Sequence, residues 1–328
     1  MVFAMALVLS GIAQSFRNEV GRTVASARAD TWIVNKGATG PFTGLSPMPA
    51  HDVEVVSKQQ GVHDAAPLLI VPQSVYAGAS RTPRGTTMIG YLPDHLGQPL
   101  VREGRAAHAK GEIVVANGLG LHVGDTLSLG GQQLTVTGVA NGLSLFGGLP
   151  DIFVTIDQAQ AIVFQGHNDI SAIVTSGTPA NLDPRFVAMT NGQVRDDTLR
   201  PVRDAFSTID SARLLMWFIA VIIVAALVYV STLERVRDFA VLKSLGASSV
   251  DVFAGVALQA VIVSLMAALA SSVLSGFLKP VFALPVAIPS DAFVVLPLVA
   301  VVVGLLSSLV ALRSAIRVDP AYAFAGPA

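Results

Sequence analysis

Of 328 residues, 52% are hydrophobic and 13% charged, with a mean hydropathy of +0.63. Soluble domains carry about 25% charged residues, so the chain reads as a membrane protein. Its net charge of −1 argues against a nucleic-acid partner, whose binders show a concentrated basic face, and the absence of cysteine excludes disulfides, thiolate metal sites and cysteine nucleophiles.

Residues 1–16 carry no charge, their apolar part ends near Ala13, and Arg17 follows. A signal peptide shows a basic n-region and a small-x-small cleavage site, but no Lys or Arg precedes this apolar run. The segment is read as the later part of a first spanning helix whose start is missing from the chain, with a signal peptide as the competing reading.

Residues 17–210 hold most of the charge, the glycines and the turn signals. Gly130-Gly131 separates two short runs in which Leu and Val alternate with polar residues, the pattern of a two-residue hairpin. Further strands are expected over 66–71, 87–91, 112–115, 152–156 and 171–175, and helices over 49–60 and, after an Asp157 cap, to Phe164. The result is a mixed α/β domain of roughly 170 residues, large enough to bury its own core. Catalytic signatures are missing: no Gly-x-Ser-x-Gly elbow, no His-Glu-x-x-His and no phosphate-cradling Gly-x4-Gly-Lys motif. The six histidines at 51, 63, 95, 108, 122 and 167 lack metal-ligand spacing, and no cofactor is expected. Asp196-Asp197 is read as a solvated pair rather than a carboxylate dyad. The apolar, glycine-rich stretch 143–150 is read as a packed loop, with a contact for a hydrophobic ligand or lipid as the alternative.

Three uncharged apolar stretches follow. Twenty residues separate Arg213 from Glu234, 27 separate Asp251 from Lys279, and 21 separate Asp291 from Arg313; a spanning helix needs about 20. Spans are therefore expected over about 214–233, 252–278 and 292–312. Basic residues in short loops mark the cytoplasmic side. Arg235, Arg237 and Lys243 place the 234–251 loop inside, and Arg313 and Arg317 do the same for the tail. Residues 17–210 then lie outside the cell membrane, and the fold class is an α-helical multi-pass membrane protein with four transmembrane helices, the first truncated, and an extracytoplasmic α/β domain between helices 1 and 2. No ionisable residue interrupts these three spans, which disfavours an ion-coupled transporter.

Ala260, Ser264, Ala268, Ser272 and Gly276 recur every four residues in the second of these spans, and Ala300, Gly304 and Ser308 in the third. Small residues at this spacing let helices approach closely in a bilayer, so both stripes are read as packing seams within a bundle or dimer. A step of four residues gains about 40° on a helix of 3.6 residues per turn, and the longer stripe must wind.

Between the first two of these spans lies a charged elbow. The helix can continue past Leu233, with Val236, Phe239 and Leu242 as an apolar stripe and Glu234 placed to pair with Arg237. Gly246 suits a C-terminal cap, and Ser248 with Asp251 reads as a capping box that starts the next helix. Phe239 and Leu242 are expected to need a covering partner. In the tail, Asp319-Pro320 caps a short helix over 320–324.

The elbow, Glu234-Arg235-Val236-Arg237-Asp238-Phe239-Ala240-Val241-Leu242-Lys243-Ser244-Leu245-Gly246-Ala247-Ser248, closely resembles the "ERxREIALLRALGAS" signature of FtsX/MacB-type ABC transporter permeases. The tail from Arg313 to Ala323 is similar to their terminal "A-x-R-(I/V)-x-P-x-x-A-L", with Phe324 where leucine is usual. Residues 111–127 are similar to their "EVVLSxxLAxxLGLKVGDTL" stretch. This resemblance implies the FtsX-like permease domain over 211–328 and the MacB-like periplasmic core within 17–210, after the partial first helix of residues 1–16. It also implies a non-catalytic subunit paired with a second permease copy, as homodimer or heterodimer. A separate ABC ATPase would dock at Glu234, Arg235, Arg237, Phe239, Leu242, Lys243 and Gly246. ATP hydrolysis would then move the outer domain to export or extract a hydrophobic or peptide-like substrate. The competing reading is a mechanotransmitting regulator of a cell-envelope hydrolase, or a ligand sensor.

Overall fold

The computed structural model describes residues 2–78, 82–145, 148–278 and 292–315. The chain divides into two compact units, one of Phe16–Asp204 and one formed by Met1–Ser15 with Ala205–Ala328. Helix α1 (Val2–Ser26) runs without interruption through the first boundary.

The Phe16–Asp204 unit is built on a mixed sheet. Its strands are β1 (Thr31–Asn35), β2 (Met48–Pro49), β3 (Val62–Ala77), β4 (Arg84–Tyr91), β5 (Val101–Gly104), β6 (Glu112–Ala116) and β7 (Thr126–Leu129). They continue as β8 (Gln132–Ala140), β9 (Ser144–Leu145), β10 (Leu149–Thr155), β11 (Asp169–Ile170), β12 (Ala172–Gly177) and β13 (Phe186–Thr190). Three helices join them: α2 (Asp52–Ser57), α3 (Ile156–Val163) and α4 (Asn191–Thr198). The main sheet runs β13-β1-β12-β3-β4-β10-β6-β8-β5, with β7 bridging β3 and β8 and β9 paired to β10. Its β4–β10 and β6–β8 pairs are parallel, and β2 and β11 form a separate ladder.

Alternation along the strands divides the core between the two faces of this sheet. On β3, Ala66, Leu68 and Ile70 enter one cluster while Leu69, Val71 and Val75 enter the other. On β1, Trp32 and Val34 oppose Ile33, and on β10 Phe153 opposes Ile152 and Val154. The first face is covered by Val20 and Val24 of α1 with Val194 of α4, the second by Val56 of α2 with Ile156 and Ala159 of α3. Both faces being buried explains the nearly continuous apolar runs of β3, β6 and β12.

The Gly130-Gly131 hairpin forms, with Leu129 opposite Gln132. Both glycines take positive φ, 58° and 79°, as a type I′ turn requires. The expected helix over 49–60 shortens to α2, because Met48 and Pro49 pair with Ile170 and Asp169 as a strand. The α3 cap is Thr155, whose hydroxyl accepts from the Gln158 amide, and not Asp157, which lies in the first turn.

The other unit contains α5 (Arg203–Glu234), α6 (Val236–Ser244), α7 (Ser249–Leu278) and α8 (Ala292–Ala315). Among the described residues, two helical stretches are long and apolar enough to cross a membrane, Asn191–Glu234 and Val250–Phe277, and Val294–Leu306 is a shorter apolar one. Phe3, Leu7, Ala220, Val224, Val228, Val256, Ala260, Leu296, Ala300 and Val303 form this unit's apolar cluster.

Candidate functional site

Two details shape the exit of α5. The Thr232 hydroxyl donates back to the Val228 carbonyl at 2.7 Å, which bends helices. The Arg235 amide reaches Thr232 O at 3.2 Å, an i−3 bond that tightens the last turn. The helix stops at Glu234 and α6 restarts at Val236, where a continuous helix was expected. Glu234 and Arg237 form no ion pair, and both point to solvent with Arg235. Phe239 is half-buried and packs on the membrane-helix cluster, so it is not the uncovered contact expected of it.

The exposed apolar surface lies further on. Val241 is 52% exposed, Leu242 46%, Leu245 80% and Val250 71%. Lys243 sits on α6, and its side chain lies outside the described residues. Gly246 ends the helix at φ +98°. The Ala247 amide bonds Leu242 O at 3.0 Å, the six-to-one bond of a Schellman motif. Two residues later the capping box closes: the Asp251 amide donates to Ser248 Oγ at 3.2 Å, and the Ser248 amide donates to Asp251 Oδ2 at 2.9 Å. The exposed valines and leucines thus flank a fixed stop and a fixed start, Val241, Leu242 and Leu245 before the stop and Val250 in the first turn of α7. Leu245 and Val250 are the apolar residues that flank the stop and the restart in the sequence.

The small-residue stripe of α7 is buried at Ala260, Ser264 and Ala268, half-buried at Ser272 and exposed at Gly276. The last two leave the seam because spacing of four drifts about 120° and 160° from Ala260, whereas Ser271 and Ser275 return to within about 60° of it. Those two serines are buried in their place. The facing seam is α8 of the same chain. A Cβ on Gly304 would meet Val261 Cα at 2.8 Å and Val261 N at 2.9 Å, so glycine sets the approach of the helices. Gln259 Nε2 donates to Ser231 Oγ at 2.8 Å and ties α7 to α5.

In the outer unit, Asp196 and Asp197 do not form a dyad. Asp197 is buried, accepts from Thr43 Oγ1 at 2.6 Å and lies 3.5 Å from Arg200, while Asp196 is exposed on α4. Stretch 143–150 is the β9–β10 hairpin, with residues 146 and 147 outside the described residues. No group of three or more acidic or histidine side chains among the described residues could hold a metal ion. The features that stand out are a capped, apolar-faced elbow between two helices long and apolar enough to cross a membrane and a separate α/β unit between α1 and α5, the features of a membrane protein that carries a large folded domain between its apolar helices.

The comparisons with known proteins agree with that class. The FtsX-like permease C-terminal family matches residues 211–320, and the MacB-like periplasmic core domain matches residues 2–185. The uncharacterized ABC transporter permease Rv2563 of Mycobacterium tuberculosis (strain ATCC 25618 / H37Rv) is 39% identical over 100% of this chain and 93% of its own length. The uncharacterized ABC transporter permease Rv0072 of the same strain is 38% identical over the same shares. Among solved structures, the periplasmic region of MacB from Actinobacillus actinomycetemcomitans aligns at TM-score 0.39 and 12% identity, covering 52% of this chain and 93% of that one. The extracellular domain of the noncanonic ABC-type transporter YknZ from Gram-positive bacteria aligns at TM-score 0.36 and 14% identity, covering 55% of this chain and 95% of that one. The chain belongs to the FtsX-like ABC transporter permeases that carry a MacB-like periplasmic core domain.

Proposed function

We propose that this permease couples ATP hydrolysis in a separate cytoplasmic ATPase to movement of its outer domain, exporting or extracting a hydrophobic or peptide-like substrate. Helices α1, α5, α7 and α8 serve as four spans, two permease copies form the working unit, and the Phe16–Asp204 unit lies outside the membrane. The elbow receives the ATPase. Val241, Leu242, Leu245 and Val250 supply its apolar contact, Glu234, Arg235, Arg237 and Lys243 its charged rim, and Gly246 the stop that fixes its angle.

The observation that carries this reading is the apolar exposure on either side of two closed caps. Leu245 at 80% exposed and Val250 at 71% lie in the short inter-helix segment that also carries Arg235, Arg237 and Lys243, a segment whose charge argues for water and a protein partner rather than bilayer lipid. Apolar residues ringed by charge are the anatomy of a protein–protein contact. The test is co-purification with the ATPase. Leu245→Asp is expected to abolish association while membrane insertion and yield persist. Retained association in both Leu245→Asp and Val250→Asp overturns the assignment of the elbow.

A further inference from the structure

Gln259 is the one Asn or Gln in the three uncharged apolar stretches 214–233, 252–278 and 292–312. A side-chain amide is costly in hydrocarbon unless a partner takes its hydrogen bonds, and Gln and Ser act there as glue between helices. Gln259 lies in the third turn of α7, half-buried, and its Nε2 donates to Ser231 Oγ of α5 at 2.8 Å. Ser231 is half-buried too and stands one turn before Glu234, where α5 ends. Side chains of a helix lean toward its N-terminus, so the Gln259 amide leans toward the elbow end of α7. The bond crosses between the two helices just beneath the elbow, within one compact unit.

The apolar contacts around it do not fix how α5 lies along α7. In the cluster they share, α5 contributes Ala220, Val224 and Val228, and α7 contributes Val256, Ala260 and Ala268. Both rows repeat at four residues or a multiple of four. A slip of one turn, about 5.4 Å, sets similar small and branched side chains opposite one another again. The α7–α8 seam escapes this degeneracy through shape, because Gly304 admits Val261 backbone where any Cβ would clash. A donor and an acceptor on facing helices escape it through distance and direction, since their bond forms in one alignment and is lost in the next. A single polar residue in an apolar interface fixes register in coiled coils for the same reason.

We propose that Gln259 and Ser231 are positioning residues that pin the register of α7 against α5 and so hold the elbow in one pose. The elbow is the chain between those two helices. A slip of one turn would carry the start of α7, with Val250, about 5.4 Å relative to the end of α5. Leu242 and Leu245 before the Gly246 stop would then no longer stand in the same relation to Val250 after it. The apolar contact for the ATPase is assembled from both sides of the stop only in the pinned register. That consequence for docking rests on the elbow assignment above; the pin itself rests on the bond and on α5 and α7 lying in a bilayer.

The test is a distance between two spin labels, measured on the full chain in nanodiscs. With no native cysteine, Leu233→Cys and Leu258→Cys, both exposed, carry the labels close to the bonded residues. Labelled chains are diluted with unlabelled ones so that distances within one copy are read. The pinned protein is expected to give a single narrow distance. Gln259→Leu and Ser231→Ala, each in that background, are expected to add a second population displaced by up to about 5 Å. Ser231→Thr, which keeps the hydroxyl, is expected to retain the single distance, and the same split there overturns the bond as its cause.

A distance left single in either Gln259→Leu or Ser231→Ala, or a broad one before either substitution, overturns the pin. A purely structural role would lower the thermal midpoint without moving the distance. Should Gln259→Leu fail to fold, Ser231→Ala and Ser231→Thr decide between them. No ATPase is present, so failure of the elbow assignment leaves this result standing. Co-purification then reads the docking step alone: association of Gln259→Leu with the ATPase is expected to fall, and full association overturns that step.

Discussion

At φ +98°, Gly246 holds a left-handed conformation, and among the described residues no atom outside its chain neighbours stands within 4 Å of where a Cβ would sit. Space is free there, so any cost of a side chain comes from the backbone alone. Gly246→Ala is expected to weaken the helix stop by about 1 kcal/mol, read as roughly fivefold faster exchange of the Ala247 amide. Phe239 and Leu245 divide the work of the elbow differently. Phe239 packs on the helix cluster while Leu245 is bare. Phe239→Ala should therefore cost about 1–2 kcal/mol in the thermal stability of the membrane unit, and Leu245→Ala should leave the midpoint within about 0.5 kcal/mol. Equal effects from the two substitutions would contradict this division. The caps themselves were legible in the sequence, because a glycine stop and a Ser-x-x-Asp start depend on neighbours in the chain. The fate of Phe239 was not, because it depends on packing against helices distant in the chain.

Elements show the same split between local and long-range causes. The 130–131 hairpin follows from alternation and turn chemistry, and strands β3, β4, β6, β10 and β12 are marked in the sequence by short runs of apolar residues. The start of α2 does not, since residues 48–49 are taken by pairing with β11, more than a hundred residues on. Thr155 outcompetes Asp157 as the α3 cap because β10 continues to Thr155 and leaves its hydroxyl facing the Gln158 amide. The α7 stripe was visible as composition, but its partner was not. Gly304 supplies it, with α7 backbone at 2.8 Å from its missing Cβ. Gly304→Leu is expected to force α7 and α8 apart and cost about 1–3 kcal/mol, read as a lowered thermal midpoint in detergent. Gly276→Leu, with nothing within 4 Å among the described residues, is the matched control and should leave the midpoint unchanged. Similar losses from both would mean that the seam lies elsewhere.

For the whole molecule, the proposal requires the elbow and the α/β unit to face opposite sides of the bilayer. The argument for that orientation is electrostatic: Arg235, Arg237 and Lys243 crowd one short loop, and short basic loops stay in the cytoplasm. The Phe16–Asp204 unit has a sheet buried on both faces, with its own two apolar clusters. Such a unit can fold after translocation without help from the membrane helices. The absence of cysteine makes the orientation directly measurable, since any introduced thiol is the only one in the chain. Lys243→Cys in the elbow and Glu103→Cys on exposed β5 provide one probe on each side. In intact cells, a membrane-impermeant maleimide is expected to label the thiol at position 103 and leave that at 243 unreacted until the membrane is opened. Labelling of both from outside, or of neither, would place the elbow and the outer domain on one side. The coupling scheme would then have no route from the ATPase to the head it is meant to move.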